Sequence, residues 1–231
     1  MSDNVNIQNQ LNQLTSQSNS FQILKNIKLK MAGNTFHLHY HVLYDLINQM
    51  PKKNINYVEI GVFNGGSLCL VLQHSKVKNA IGIDPFIFPN QEKNVNENIK
   101  TFNYHLTKTF IVKKFSTDLT VLRDLTEFIN DIDVLFIDGD HAYNSVIFDF
   151  ETYYKLLSHG GYLVFDDYQD YMYSKEVRFA VDEIVRRIND GKYIGFNFLI
   201  IGCLNNYTDA PPVEILPFNN EFIIQIFRQS S

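Results

Sequence analysis

The amino-acid sequence predicts an α/β fold built on a mostly parallel sheet with helices on both faces. Short apolar strand patterns alternate with helical patterns through the central part of the chain, and the connectors between them are short. Two final apolar runs, near 193–203 and 221–228, are joined by a proline-containing loop without a helical pattern. These runs should pair as antiparallel strands, because parallel neighbours need a long crossover connection.

The composition is that of one globular domain with a polar N-terminal extension. The chain has 231 residues, of which 45% are hydrophobic, and a net charge of −5. This charge argues against nucleic acid or an acidic membrane surface as partner. We expect the folded domain over 36–231, and a polar arm over 1–35 that is flexible or acts as a lid or dimer contact in a homo-oligomer.

Other sequence-wide features favour a cytoplasmic protein. No apolar run approaches the length of a membrane span, and the N-terminus lacks the pattern of a secretory signal. Cys69 and Cys203 lie in apolar segments, so we expect buried free thiols in a reducing compartment.

The individual elements follow from periodicity and from chain-breaking residues. A helix is expected from Phe36 to the residue before Pro51. Strands are expected near 56–60, 79–84, 109–115, 132–138 and 161–166. Two later helices carry apolar residues at helical spacing: Val146, Phe150, Tyr153, Tyr154 and Leu157, then Val177, Val181, Ile184, Val185 and Ile188. The first should end in a glycine cap at 159–161, and the second at Gly191.

The first strand leads into a glycine-rich turn, NYVEIGVFNGGS over 56–67. Glycines allow a sharp turn and a close approach of ligand to backbone. Open α/β sheets bind ligands at the carboxyl ends of their strands, where this turn lies. Phe63 occupies the position of the second glycine in the dinucleotide fingerprint, which argues against a nicotinamide-dependent oxidoreductase.

This turn resembles the first motif of class I S-adenosylmethionine-dependent methyltransferases, E/D-x-G-x-x-x-G. The resemblance implies a Rossmann-like fold with strand order 3-2-1-4-5-7-6 and S-adenosyl-L-methionine as cofactor. The positions it implies for cofactor binding are Glu59, Gly61, Asn64, Gly65, Ser67, Asp84, Phe86, Ser116, Asp118 and Asp138. Asp84 would accept hydrogen bonds from the ribose hydroxyls or cap the turn before Pro85. Phe86 would stack on adenine or pack in the core, and Asp118 would bind adenine or cap a helix.

Acidic residues follow two further strands. Asp138, Asp140 and His141 follow the fourth strand, and Asp166 and Asp167 follow the fifth. Because these strands are neighbours in the expected topology, their end residues should meet in one cleft. Carboxylates brought together repel one another unless they are protonated or bind a cation. An all-oxygen site suits Mg²⁺, Mn²⁺ or Ca²⁺ better than Zn²⁺, although each acidic pair alone also suits an ordinary turn.

The patterns D-G-D-H-x-Y and G-G-x-x-x-x-D-D closely resemble metal-dependent O-methyltransferases that act on sugar hydroxyls in antibiotic and glycan biosynthesis, the macrocin and novobiocin group. The match spans roughly residues 55–170. It implies that Asp138, Asp166 and Asp167 are the metal ligands.

The resemblance leaves the general base open between Asp140 and His141, and an ordinary imidazole pKa near 6.5 favours His141. It implies a sugar or sugar nucleotide as the methyl acceptor. A catechol-like phenol is the alternative, although catechol enzymes usually carry Asp-Asn where this chain has Asp166-Asp167. A non-catalytic methyltransferase-like binding domain is the alternative outside enzymes.

Two polar segments outside these motifs are left open. His37, His39 and His41 alternate, which suggests either a metal role or a place in the substrate cleft. Asn205 and Asn206 follow the sixth strand, where they would form a plain turn or lie over the acceptor pocket.

Overall fold

A computed structural model describes residues 19–33, 37–203 and 220–229. Its strands are β1 Ile55–Ile60, β2 Val77–Ile83, β3 Lys108–Val112, β4 Ile132–Ile137, β5 Leu157–Phe165, β6 Phe196–Gly202 and β7 Phe222–Arg228. They form one seven-stranded sheet in the order β3-β2-β1-β4-β5-β7-β6. The first five strands are parallel, and β7 is antiparallel to both β5 and β6. The predicted fold and the antiparallel pair are confirmed.

Helices cover both faces of this sheet. They are α1 Asn19–Lys30, α2 His41–Gln49, α3 Gly66–Val71, α4 Gln91–Phe102, α5 Thr120–Phe128, α6 Tyr143–Tyr153 and α7 Lys175–Asn189. Successive strand residues point to opposite faces, so Tyr57 packs in a core with α1 to α4, whereas Val58 packs in a second core with α5 to α7. The ends of β1, β4 and β5 are thereby fixed between two buried layers.

Part of the predicted N-terminal arm belongs to the first core. Phe21, Leu24 and Ile27 on α1 are buried in it, while residues 1–18 and 34–36 lie outside the described part. A short 3-10 turn, Leu38–Tyr40, leads into α2. The helix predicted from Phe36 therefore has its regular α-helical part from His41 onward.

The predicted end of α6 is wrong. A 3-10 turn follows α6 directly, and β5 begins at Leu157, so 159–161 belongs to the strand and not to a helix cap. A Cβ on Gly161 would lie 3.0–3.2 Å from the backbone oxygens of Ser158, Ile132 and Asp133. The glycine thus permits close strand approach where the register between β4 and β5 shifts.

Two further sequence-wide expectations can be compared with the structure. None of the helices in the described ranges is long and apolar enough to cross a bilayer. Cys69 is buried and Cys203 is half-buried, and both are free thiols.

Candidate active site

The glycine turn after β1 is held in place by a close crossing of two strand ends. Gly61 has φ +90°, and a Cβ on it would lie 1.8 Å from the backbone oxygen of Asp138. Gly65, with φ +84°, precedes α3 and has no atom closer than 3.7 Å to such a Cβ. The two glycines adopt left-handed backbone conformations in this turn, and the absence of a side chain on Gly61 lets the ends of β1 and β4 approach each other.

Asp84, at the end of β2, braces this turn. Its Oδ2 accepts the backbone N–H groups of Val62 and Phe63 at 2.9 and 2.8 Å, and its Oδ1 accepts that of Phe86 at 2.6 Å. A carboxylate has about four acceptor positions. These contacts leave room for about one ribose hydroxyl, whereas the sequence predicted that both would bind.

A cavity of about 550 Å³ opens beside the turn. Its wall includes the apolar side chains of Ile83, Ile87, Phe88 and Phe115. Several residues expected at the site line it: Gly61, Asp84, Ser116, Asp138 and Asp140. One apolar wall and a few polar groups are typical of a small-molecule pocket.

Two residues predicted to bind the cofactor lie away from this cavity. Phe86 packs against the core on the α1 to α4 side, so Phe88 supplies the aromatic ring beside the pocket. Asp118 is exposed and accepts hydrogen bonds from the backbone N–H and hydroxyl of Thr120 at the start of α5. Of the alternatives that the sequence left open, core packing therefore applies to Phe86 and helix capping to Asp118.

A second cavity of about 330 Å³ adjoins the first through Gly61 and Asp138 and is lined by Asn64 and Ser67. Glu59 lies behind it, fully buried, and its Oε2 accepts the hydroxyls of Tyr57 and Ser67. Burial raises the pKa of Glu59 to about 8. Glu59 therefore ties α3 to β1. It is not among the residues that line either cavity, and the same holds for Gly65.

Asp138, His141 and Asp167 form the acid–imidazole cluster of the second cavity. One ligand atom from each lies within 4.8 Å of the other two. His141 Nε2 is 3.6 Å from Asp138 Oδ1 and 3.3 Å from Asp167 Oδ2. Burial and the charge of Asp166 raise the pKa of Asp138 to about 8. Burial alone would lower the pKa of His141, but the surrounding carboxylates raise it to about 9.

Asp166 lines the same cavity, but its carboxylate is paired elsewhere. His39 Nε2 lies 3.2 Å from its Oδ1, and both side chains are buried. Burial opposes ionisation of the pair, yet their mutual attraction prevails, so the pKa of His39 rises to about 10 and that of Asp166 falls. The three predicted metal ligands are thus divided between two groups of contacts.

Two residues that the sequence analysis did not single out complete the wall behind the acids. Tyr40 donates its hydroxyl to Asp138 Oδ2 at 3.2 Å. Both carboxylate oxygens of Glu221 are buried without a hydrogen-bond partner among the described residues, and burial raises its pKa well above the ordinary value. Glu221 lies beside His39 and Asp166, a proximity that no local pattern indicates.

The two candidate bases occupy different places. Asp140 is exposed; its Oδ2 accepts the hydroxyl of Ser145 at 2.6 Å, and its Oδ1 accepts the backbone N–H of Ala142. It lines the first cavity and stands outside the acid–imidazole cluster. His141 belongs to that cluster, so the structure brings the imidazole to Asp138 and Asp167.

The side chains of the three alternating histidines lie in three different environments. His37 lines the second cavity, His39 pairs with Asp166, and His41 contacts Asp45 within α2. The prediction that they line the cleft therefore fits His37. Asn205 and Asn206 lie outside the described residues.

Comparison with known proteins finds one domain family and one close relative in sequence. Residues 58–168 match the methyltransferase domain family. An uncharacterized protein of Acanthamoeba polyphaga mimivirus is 47% identical over 211 residues, which is 90% of this chain and 95% of that protein. The chain belongs to one family with this mimivirus protein, and its residues 58–168 are similar to a methyltransferase domain.

Solved structures share the fold at low sequence identity. An O-methyltransferase from Bacillus cereus in complex with SAH is 14% identical, with a TM-score of 0.53 over 90% of this chain and 89% of its own. TomG, an O-methyltransferase of tomaymycin synthesis from Streptomyces achromogenes in complex with SAM, is 12% identical, with a TM-score of 0.53 over 99% and 96%. A TDP-rhamnose 3'-O-methyltransferase of calicheamicin biosynthesis is 14% identical, with a TM-score of 0.52 over 100% and 94%.

Proposed function

We propose that this methyltransferase moves the methyl group of S-adenosyl-L-methionine to a hydroxyl of a sugar or sugar nucleotide, with the help of a divalent cation. The observation that carries the proposal is the convergence of Asp138, His141 and Asp167 beside the glycine turn. The first cavity would hold the nucleoside of the cofactor, and the acid–imidazole cluster lies in the adjoining second cavity. Cation-assisted transfer to a hydroxyl requires these two sites side by side.

The described residues fit the cofactor. The cavity of about 550 Å³ falls in the range of roughly 300–1,000 Å³ that holds small ligands. Ile87 and Phe88 offer an apolar wall for the adenine, and Asp84 offers its remaining acceptor position to the ribose. Asp138 and Gly61 border both cavities, so a methyl donor in the first would face the acceptor in the second.

The described residues also fit a divalent cation. Asp138 and Asp167 present oxygen atoms of the kind that Mg²⁺ prefers, and Asp166 stands on the same wall. Burial and then the charge of Asp166 raise the pKa of Asp138, and a bound cation would favour its ionised form. A bound cation would supply Lewis acidity that lowers the pKa of a coordinated hydroxyl.

The protein's own residues supply orientation and a base. The proton of the acceptor hydroxyl would pass to His141 Nε2, the ring atom that faces Asp138 and Asp167. The pKa of His141 is raised by those carboxylates, so neutralising them returns the imidazole toward the range in which it accepts a proton. Gly61 borders both cavities and Asn64 lines the second, so both would help to orient donor and acceptor, which is where much of such a rate enhancement arises.

A sugar is the favoured acceptor for two reasons. The pair Asp166-Asp167 matches the sugar group in the sequence patterns, whereas catechol enzymes usually carry Asp-Asn there. One protein of the same fold acts on TDP-rhamnose. A catechol-like phenol remains the competing acceptor, because it also offers neighbouring oxygens to a cation.

The test is a methyl-transfer screen read by mass spectrometry, with nucleotide sugars and catechols in parallel, each with Mg²⁺ or EDTA. We expect a mass increase of one methyl group on a sugar, with Mg²⁺ required. Asp138→Asn should lose transfer, whereas Asp190→Asn, which changes an exposed carboxylate just after α7, should keep it. Full activity of Asp138→Asn or in EDTA would refute the cation, and transfer to catechols alone would refute the sugar.

The base is tested separately. His141→Gln should lower kcat strongly and leave S-adenosylmethionine affinity, measured by calorimetry, nearly unchanged. Asp140→Asn should retain most of the activity, because its carboxylate is directed to Ser145. The reverse ranking would assign the base to Asp140. If the wild type binds no S-adenosylmethionine at millimolar concentration, the hypothesis of a non-catalytic methyltransferase-like binding domain replaces the proposed activity.

A further inference from the structure

Ser174 stands at the start of α7 but does not behave as a helix cap. A serine at this position ordinarily accepts a backbone N–H of the first turn through its hydroxyl. Within the described chain, Ser174 makes no such side-chain bond. Its hydroxyl, with the side chain 3% exposed, lies 2.9 Å from Asp167 Oδ2 and 2.9 Å from His141 Nδ1.

The chemistry of these two contacts fixes where the protons lie. The hydroxyl of Ser174 has a single proton, which it donates in the hydrogen bond to Asp167 Oδ2. The hydroxyl oxygen can then only accept from the ring, and His141 Nδ1 must carry a hydrogen. The lone pair of the neutral imidazole is thereby left on Nε2, the atom 3.3 Å from Asp167 Oδ2.

We propose that Ser174 is a positioning residue that holds His141 in the tautomer and orientation needed to accept a proton at Nε2. This inference rests on the proposed function, in which His141 is the base. The arrangement follows the general logic of a base oriented by a third group, with a hydroxyl bridging base and carboxylate. This role also explains why the Ser174 hydroxyl does not cap α7, because functional sites commonly depart from local sequence preferences.

The local backbone provides for this use of the side chain. The backbone oxygen of Ser174 accepts the N–H of Val177 at 3.0 Å, so the first turn of α7 forms without the hydroxyl. Asp167 is held from its other side by Asn220, whose amide donates to Oδ1 at 2.8 Å. The Asp167 carboxylate, which accepts the hydrogen bond of Ser174, is therefore also held in place by a contact independent of Ser174.

The experiment compares Ser174→Ala and Ser174→Thr in the full chain. The alanine variant should lower kcat by about 10–100-fold, the usual effect of losing such a supporting contact, with the KM for S-adenosylmethionine changed less than about twofold. The threonine variant keeps the hydroxyl and should recover most of the rate. Ser158→Ala is the matched control, because Ser158 donates to the buried Asp133 at 2.7 Å, outside the two cavities.

A spectroscopic readout separates this proposal from the proposed function. In ¹⁵N-histidine-labelled protein, His141 Nδ1–H should give a slowly exchanging proton signal in wild type and Ser174→Thr, assigned by its absence in His141→Gln. Ser174→Ala should lose that signal while retaining its far-UV circular dichroism. A persistent signal, or an unchanged kcat, in the alanine variant would overturn the proposal. If no acceptor is methylated by the wild type, the proposed function fails, and the proton signal still decides the placement of Ser174.

Discussion

Replacing Gly61 by alanine should be the most damaging single-methyl change in the glycine turn. The new Cβ would lie 1.8 Å from the backbone oxygen of Asp138, and a backbone atom cannot rotate aside as a side chain can. The left-handed conformation costs a residue with a Cβ about 1–2 kcal/mol. Overpacking adds about 1–3 kcal/mol, so Gly61→Ala should destabilise by about 2–5 kcal/mol.

Gly65→Ala separates these two contributions. Gly65 has nearly the same φ, +84° against +90°, but its nearest neighbour to a new Cβ is 3.7 Å away. It should therefore show only the conformational cost of about 1–2 kcal/mol. The difference between the two variants measures the crossing of β1 and β4.

Urea unfolding followed by far-UV circular dichroism is the suitable assay, because the chain has no tryptophan. Calorimetry with S-adenosylmethionine should show weaker binding by Gly61→Ala than by Gly65→Ala, since relief of the clash must move Asp138 at the cavity edge. Equal destabilisation of the two variants within about 0.5 kcal/mol, near the limit of additivity between such measurements, would refute the reasoning.

Three further predictions concern charge. Burial raises the pKa of Asp149 to about 7, so the folded state keeps a proton that the unfolded state releases near pH 4. The contribution of Asp149 to wild-type stability should fall by up to about 4 kcal/mol as pH rises from about 4 to 7, so Asp149→Asn should lose correspondingly less stability over this range in urea unfolding; parallel slopes would contradict it. His39→Asn should leave Asp166 buried without its cation and destabilise by about 3–5 kcal/mol, and adding Asp166→Asn should restore part of that, whereas strict additivity would argue against the pair. Dialysis against EDTA should abolish methyl transfer and Mg²⁺ should restore it; transfer that survives dialysis would exclude a required cation.

The strand ends were predictable because their signals are local. Short, nearly continuous apolar runs mark β1, β2, β4 and β5 as strands buried on both faces, and their alternation with helices indicates a parallel order. Once that order is known, Asp84, Asp138 and Asp167 must follow their strands at one edge of the sheet. The sequence could therefore locate the cleft and most of its acids without any knowledge of side-chain contacts.

The pairing of those acids was not predictable, because it depends on contacts between distant segments. His39 meets Asp166 across 127 positions of the chain. Adjacent residues leave a strand in opposite directions, so Asp166 and Asp167 reach different neighbours even though they share a motif. Asp167 has φ +58°, a left-handed conformation that changes the direction of the chain. No local sequence pattern predicts this conformation.

These contacts decide which acids could hold the cation of the proposed function. His39 pairs with Asp166, and burial raises the pKa of Glu221 well above its ordinary value, which favours the protonated form. Among the described residues, Asp138 and Asp167 remain as acids without a dedicated cationic partner of this kind; burial raises the pKa of both, and His141 lies between them with Ser174 on its far side. A divalent ion matches two such carboxylates, and its charge would displace the proton that they otherwise hold on His141. The same arrangement that makes the imidazole a poor base in the metal-free cleft would thus make it an effective one in the loaded cleft.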